Sequence, residues 1–382
     1  MTQAAIRHLR EYVAIPSVNP MGRDDLPADI VGEHRYAAHL REQLRALAVD
    51  AEVIGSGGRC SVVAEVAAAG PARETVMVAS HLDTVPVDGM EIDPFDPKLI
   101  GGRLHGRGSC DTKAGMAALV AALEHVLPRG TLRRNLIVVG EADEELHSVG
   151  VRDVLRHLGS RRPDWVLATE PTEMRVVHRH KGVVHIRLAA SGHACHASEP
   201  ELGRNAIVWL SRAAVALDEL ADTLARRADP DLGPPTLSIG LMRGGHAPNI
   251  VPDHAELVAD RRLLPGESLD QVRTQVEDAL ARHALQEAVH IAACTLEKPT
   301  LGTPADHPAV VDCLHALDSV GHEALRASVA FGTDAGVFEV ESVPGVVIGP
   351  GSIRRAHTSA EYVEVDQVEA MTDFFVALLS GD

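Results

Sequence analysis

"TVMVASHLD", residues 75–83, is an apolar run that ends on a histidine and an aspartate two positions apart. Two more runs end in the same way: "NLIVVGEADEE" at 135–145 and "DWVLATEPT" at 164–172. Short, continuous apolar runs of this length read as strands buried on both faces. A further strand pattern, "SVVAEV", occupies 61–66. Helical apolar spacing lies around and between these runs, at 32–48, 112–127 and 151–158. The alternation predicts an α/β domain with a largely parallel central sheet flanked by helices.

The pattern changes after residue 180. Strand patterns at 183–190, 236–242, 255–263 and 288–294 are interleaved with helices at 205–225 and 268–285. The order β-α-β-β-α-β is the split βαβ, or ferredoxin-like, unit. It is complete in itself, so it reads as an inserted α+β domain. Helix and strand patterns resume at 308–317, 345–349 and 367–379. The expected division is therefore 1–180 and 295–382 for the main α/β domain, with 181–294 inserted.

Composition limits the function. The chain has 382 residues, enough for two domains, and a formal net charge of −18. That charge disfavours nucleic acid or an anionic membrane as partner. No apolar run approaches the roughly 20 residues needed to span a bilayer. The N-terminal stretch is amphipathic, without the apolar core of a signal peptide. Five cysteines, odd in number and without CxxC spacing, point away from a disulfide framework and toward a reducing, cytoplasmic setting.

In open α/β sheets, sites lie beyond the carboxyl ends of the strands. Three such ends here carry His81, Asp83, Asp143, Glu144, Glu145 and Glu170, and Asp111 ends the Gly-rich "GRLHGRGSCD" turn at 102–111. Solvated strand ends are often polar. Adjacent carboxylates brought together nevertheless repel at neutral pH unless cations neutralise them. Imidazole and carboxylate together suit zinc, cobalt or manganese. Strand alternation places His81 and Asp83 on one side, where the Asp83 carboxylate can orient the His81 ring. Asp111 also reads as an N-cap for the helix at 112–127. "GRGSCD" lacks the third glycine of a dinucleotide fingerprint, and there is no GxxxxGK[ST], HExxH or GxSxG.

Seven segments occur in one order: "SHLDTVPV", "GGRLHGRGSCDTKAGMAALVAAL", "GEADEELHSVG", "ATEPTEM", "SGHACHASEPELGRNAI", "GGHAPNIVPDHAELVADRRLLPGE" and "GPGSIRRAHTSAEYV". Together they resemble the acetylornithine deacetylase / succinyl-diaminopimelate desuccinylase family of dinuclear-metal hydrolases, which also includes aminoacylases, carboxypeptidase-G-type enzymes and dipeptidases. The resemblance runs from about residue 1 to 380.

It implies two divalent metal ions, Zn2+ foremost with Co2+ or Mn2+ as alternatives. His81, Asp111, Glu145, Glu170 and His357 are the implied ligands, with Asp111 bridging. Glu144 is the implied general base, and Asp83 orients His81. The inserted domain is implied to be a lid and a homodimer interface. His196 would complete the partner's active site, and Asn249 and Arg262 would take the substrate's α-carboxylate. The "GPGS" turn, with Gly351 and Ser352, would add an anion cradle. After "DEE" the usual small residues are replaced by Leu146 and His147. The activity implied is hydrolysis of an N-acyl-L-amino acid, N-acetylornithine among the candidates. A carboxypeptidase or dipeptidase is the alternative within the family. A binding protein without turnover is the alternative outside it, and Glu144 speaks against that one, since binding alone needs no base.

Overall fold

Side-chain alternation along the apolar strands sets the layers. The computed structural model describes residues 2–56 and 58–380. Its chain divides into two compact units. The first comprises residues up to His178, Thr303–Ala327 and Thr333 onward.

Its main sheet runs in the order Ala51–Ser56, Arg59–Val66, Asn135–Glu141, Thr75–His81, Trp165–Ala168, Gly345–Val347 and Val176–His180. The four strands from Asn135–Glu141 to Gly345–Val347 are mutually parallel, and their flanking strands are antiparallel. In Thr75–His81, Val76 and Val78 enter a core formed with the helices Thr2–Val13, His34–Ala46, Lys113–Val126, Pro308–Ser319 and Val365–Ser380. Met77 and Ala79 enter the opposite core, with the helices Val149–Leu158 and Asp334–Val340. The expected sheet with helices on both faces is what forms.

Register explains the clustering of strand ends. His81 is paired in parallel with Glu141, and Ala79 with Ala168. The chain therefore leaves all three strands at one level, which puts 142–145 and 169–170 beside His81. A small sheet that the apolar patterns did not announce, Lys98–Ile100, Arg103–His105 and Tyr362–Glu364, draws the chain after His357 onto the segment before Asp111.

The second unit is Arg179–Gly302 with Ser328–Gly332. Its antiparallel sheet has the order Thr236–Gly244, His254–Leu263, Gly182–Ser191, Val289–Lys298, the ferredoxin-like arrangement. The helices Ala206–Leu224 and Leu269–Arg282 cover one face through Val184, Ile186, Leu188 and Ala190. Each helix starts as its cap residue dictates. Asn205 accepts the Val208 N–H, and Ser268 forms a capping box with Gln271. The unit runs past residue 294 because the last strand follows its neighbour down to the Lys298↔Val183 pair. The less apolar "LEKP" there does not announce that length.

Among the described residues, no helix is long and apolar enough to cross a membrane. All five cysteines are free thiols.

Candidate metal centre and active site

His81 is the last residue of its strand and is 1% exposed. Its Nδ1 lies 2.9 Å from the backbone carbonyl of Asp83 and 3.6 Å from that residue's Oδ1. The ring N–H expected on the Asp83 carboxylate thus has the carbonyl of that residue as its nearer acceptor. A ring proton on Nδ1 leaves the Nε2 lone pair for a ligand. Nε2 points at Asp111 Oδ1, 2.9 Å away, with Glu170 Oε1 at 3.9 Å.

The Asp83 carboxylate does different work. Its Oδ1 accepts the Glu144 N–H at 3.1 Å, and its Oδ2 accepts the Glu145 N–H at 3.2 Å and the Asn19 amide at 2.8 Å. It therefore anchors the paired-acid loop. Burial alone would raise its pKa. The contacts with His81, Asn19 and the Glu145 N–H overcome that and hold it below the usual carboxylate range. The loop itself turns on Asp143, which has φ +63 and whose carbonyl accepts the N–H of Ser148 at 2.6 Å.

Asp111 does not cap a helix. The helix Lys113–Val126 begins after Thr112, and the Asp111 carboxylate instead spans two imidazoles, with Oδ1 on His81 and Oδ2 3.1 Å from His357 Nε2. Burial favours its neutral form, but the two histidines outweigh burial and hold its pKa well below the usual range.

The turn before it is clamped by Glu361, a residue without a local sequence signal. Glu361 is fully buried. It accepts the N–H groups of Gly108, Cys110 and Asp111 at 3.1, 2.9 and 3.0 Å, and pairs with the buried Arg107 at 2.6 Å. Replacing one member of a buried ion pair costs ~3–5 kcal/mol, because the other charge stays buried. Glu361→Ala is accordingly expected to lower the unfolding free energy by about that amount. Chemical denaturation checks this, and an unchanged midpoint refutes it.

Glu145 lies 3.1 Å from His357 Nε2 through its Oε2. His357 has φ +59, on a loop that the Tyr362–Glu364 strand ties down. Burial would depress the His357 pKa, but Asp111 and Glu145 push it up to about 11. The Glu170 carboxyl sits well above the ordinary range, first through burial and then through Asp111, Glu144 and Glu145. Glu170 also explains Gly349: a Cβ at that position would come 2.6 Å from the Glu170 carbonyl oxygen, too close to be accommodated.

The first unit thus brings His81, Asp83, Asp111, Glu144, Glu145, Glu170 and His357 together. Gly351 and Ser352 belong to the same unit, with the Gly351 N–H and the Ser352 hydroxyl already engaged. The Gly351 N–H goes to Gln367 Oε1 at 2.7 Å, and the Ser352 hydroxyl to Glu173 at 2.6 Å. An anion held there would compete with both.

His196, Asn249 and Arg262 lie in the second unit. His196 is exposed, with Nδ1 2.7 Å from Ser198 Oγ, and is bridged to Ile250. Asn249 is exposed, and its carbonyl accepts the Ala197 N–H at 3.0 Å. Arg262 is half-buried and grips Asp260 at 2.8 and 3.2 Å.

The donor set suits divalent metal. Ligand atoms of His81, Asp111 and Glu145 lie within 4.8 Å of one another. Glu170 joins from the His81 side and His357 from the Glu145 side, with the two oxygens of Asp111 facing one imidazole each. Buried acids in contact with imidazoles form the mixed nitrogen and oxygen set that zinc, cobalt and manganese accept.

A family model described as peptidase family M20/M25/M40 matches residues 77–381. An acetylornithine deacetylase from Myxococcus xanthus is 30% identical over 315 residues, which cover 81% of this chain and 80% of that one. Two solved structures share the fold at 20% identity. The aminopeptidase PepT from Bacillus cereus matches with a TM-score of 0.81 over 100% of this chain and 98% of its own. An M20 family metallo-carboxypeptidase from Sulfolobus solfataricus matches with 0.79 over 98% of each.

Proposed function

The chain belongs to the peptidase family M20/M25/M40, and from that premise we propose that it hydrolyses the amide bond of an N-acyl-L-amino acid with two bound divalent metal ions. One observation carries the reading. Of two adjacent acids on one turn, both held by their N–H groups on Asp83, Glu145 lies 3.1 Å from His357, which supports reading Glu145 as a ligand and its neighbour Glu144 as the base. The similarity to an acetylornithine deacetylase favours an acyl amino acid over a longer peptide.

His81, Asp111 and Glu170 would hold one ion, and Asp111, Glu145 and His357 the other. When bound, such ions lower the pKa of a water and polarise the scissile carbonyl. Glu144 would accept a proton from the attacking water as the water oxygen bonds to the acyl carbon. The C–N bond then breaks, and Glu144 returns the proton to the leaving amine nitrogen. The products are a carboxylate and a free amino acid. Asp83 keeps Glu144 in place through its N–H and takes no part in the proton transfer.

The second unit serves as lid and as the contact between two copies. Arg262 and Asn249 take the α-carboxylate, for which a planar guanidinium is suited. His196 of the partner subunit donates to the oxyanion that develops in the transition state. Zinc is the preferred ion, and the setting is cytoplasmic.

A panel of N-acetyl, N-succinyl and dipeptide substrates, assayed with added Zn2+, Co2+ or Mn2+ and again after exhaustive chelation, tests the proposal. We expect turnover of an N-acyl amino acid that chelation abolishes and metal restores. Faster turnover of dipeptides would replace the reading with that of a dipeptidase or carboxypeptidase. Full activity after chelation would overturn the metal assignment.

A further inference from the structure

The turn that carries Glu144 and Glu145 rests on a buried amide outside every motif quoted above. Asn19 has no exposed surface. Its Nδ2 donates to Asp83 Oδ2 at 2.8 Å and to Asp143 Oδ1 at 2.9 Å. Its Oδ1 accepts from an Arg59 guanidinium nitrogen at 2.6 Å and from the Met21 N–H at 3.0 Å. Both protons and both lone pairs of the amide are thereby used. The orientation is forced, since a flipped amide would set its oxygen against two carboxylates.

Arg59 completes the arrangement. It pairs with the buried Glu33 at 2.7 Å and lies 3.2 Å from Asp143 Oδ1. A permanent positive charge therefore backs a turn whose other face carries the acids of the site. The path from Arg59 to the chemistry is short. Arg59 seats Asn19, Asn19 joins Asp83 to Asp143, and Asp83 accepts the backbone N–H groups of Glu144 and Glu145.

We propose that Asn19, seated by Arg59, is a positioning residue that sets where Glu144 and Glu145 stand. This rests on the reading of Glu144 as base and Glu145 as ligand. A neutral double donor is what the position needs. Aspartate has the same shape but would place a third carboxylate against two, and alanine would remove the donor that Asp83 and Asp143 share. Either change lets the turn drift, and a misplacement of about 1 Å can cost ~10²-fold in rate.

The test compares Asn19→Asp, Asn19→Ala, Arg59→Lys and Arg59→Ala with the unaltered protein. Zn2+ affinity is read by competition with a chromophoric chelator, thermal stability by unfolding, and kcat and KM on whichever panel substrate is turned over. For Asn19→Asp we expect about 10- to 100-fold weaker Zn2+ binding, as for other partners that orient ligands. We also expect kcat to fall by ~10²-fold, with KM nearly unchanged. Arg59→Lys should keep most of the function that Arg59→Ala loses.

A lowered Tm with Zn2+ affinity and kcat at their original values would reduce Asn19 to a structural role and overturn the proposal. If Asn19→Asp does not fold, Asn19→Ala and the Arg59 pair decide by the same readouts. Failure of the parent reading looks different, because the chelator competition reports on Asn19 even where no panel substrate is cleaved.

Discussion

Glu144→Gln is expected to retain its metal and lose about 10³–10⁴-fold in kcat, toward the upper end of what removal of a general base costs. In the proposed mechanism the same carboxylate is needed twice, first to take the proton from water and then to deliver it to the amine, so no second group would remain to share the loss. The substitution keeps the side chain's shape. The anchor of the turn is the Glu144 backbone N–H on Asp83 Oδ1, which the amide does not disturb. Folding and metal content should therefore be unchanged, and both are measured beside kcat. A near-normal turnover number would remove Glu144 from the mechanism. Loss of metal would mean that Glu144 and Glu145 have exchanged roles.

Asp111→Asn should do the opposite and abolish activity through the metal. Asp111 is the carboxylate that meets both His81 and His357, with one oxygen on each. An asparagine presents an oxygen to one side and an NH2 to the other, so it cannot serve both. Loss of a partner that merely orients a ligand costs ~10–100-fold in affinity. Loss of a shared ligand should exceed that, leaving fewer than two ions per chain by elemental analysis and turnover near background. The fold should survive, because the helix after it starts at Lys113 with Thr112 as its cap residue, and Asp111 supplies no cap. Two ions per chain together with ordinary turnover would remove the bridging role.

Much of this was legible in the linear chain. A largely parallel sheet, most of its covering helices and the inserted βαββαβ unit follow from apolar periodicity, which is a local property, whereas the helix Asp334–Val340 does not. So do His81, Asp83, Asp143, Glu144, Glu145 and Glu170, because a strand that ends on acids announces itself within ten residues. Strand ends become a site through register. The His81↔Glu141 and Ala79↔Ala168 pairs bring them to one level.

What local pattern cannot carry is a contact between side chains far apart in the chain. His357 meets Glu145 across 212 positions and Glu361 holds the Asp111 N–H across 250, while Asn19 reaches Asp143 across 124. His357 was identified by resemblance, and its loop otherwise looks like any surface turn. Glu361 and Asn19 have no periodic signature, since each acts by satisfying hydrogen bonds that exist only once the chain has closed on itself. The sequence by itself determined the sheet, the insertion and the donor types. Tertiary structure decided which acid meets which imidazole, that the Asp83 carboxylate holds the acid turn while its carbonyl holds His81, and that a buried amide and a buried glutamate brace the site. Backbone periodicity reports burial, whereas the partners of a polar group are set by geometry between distant segments.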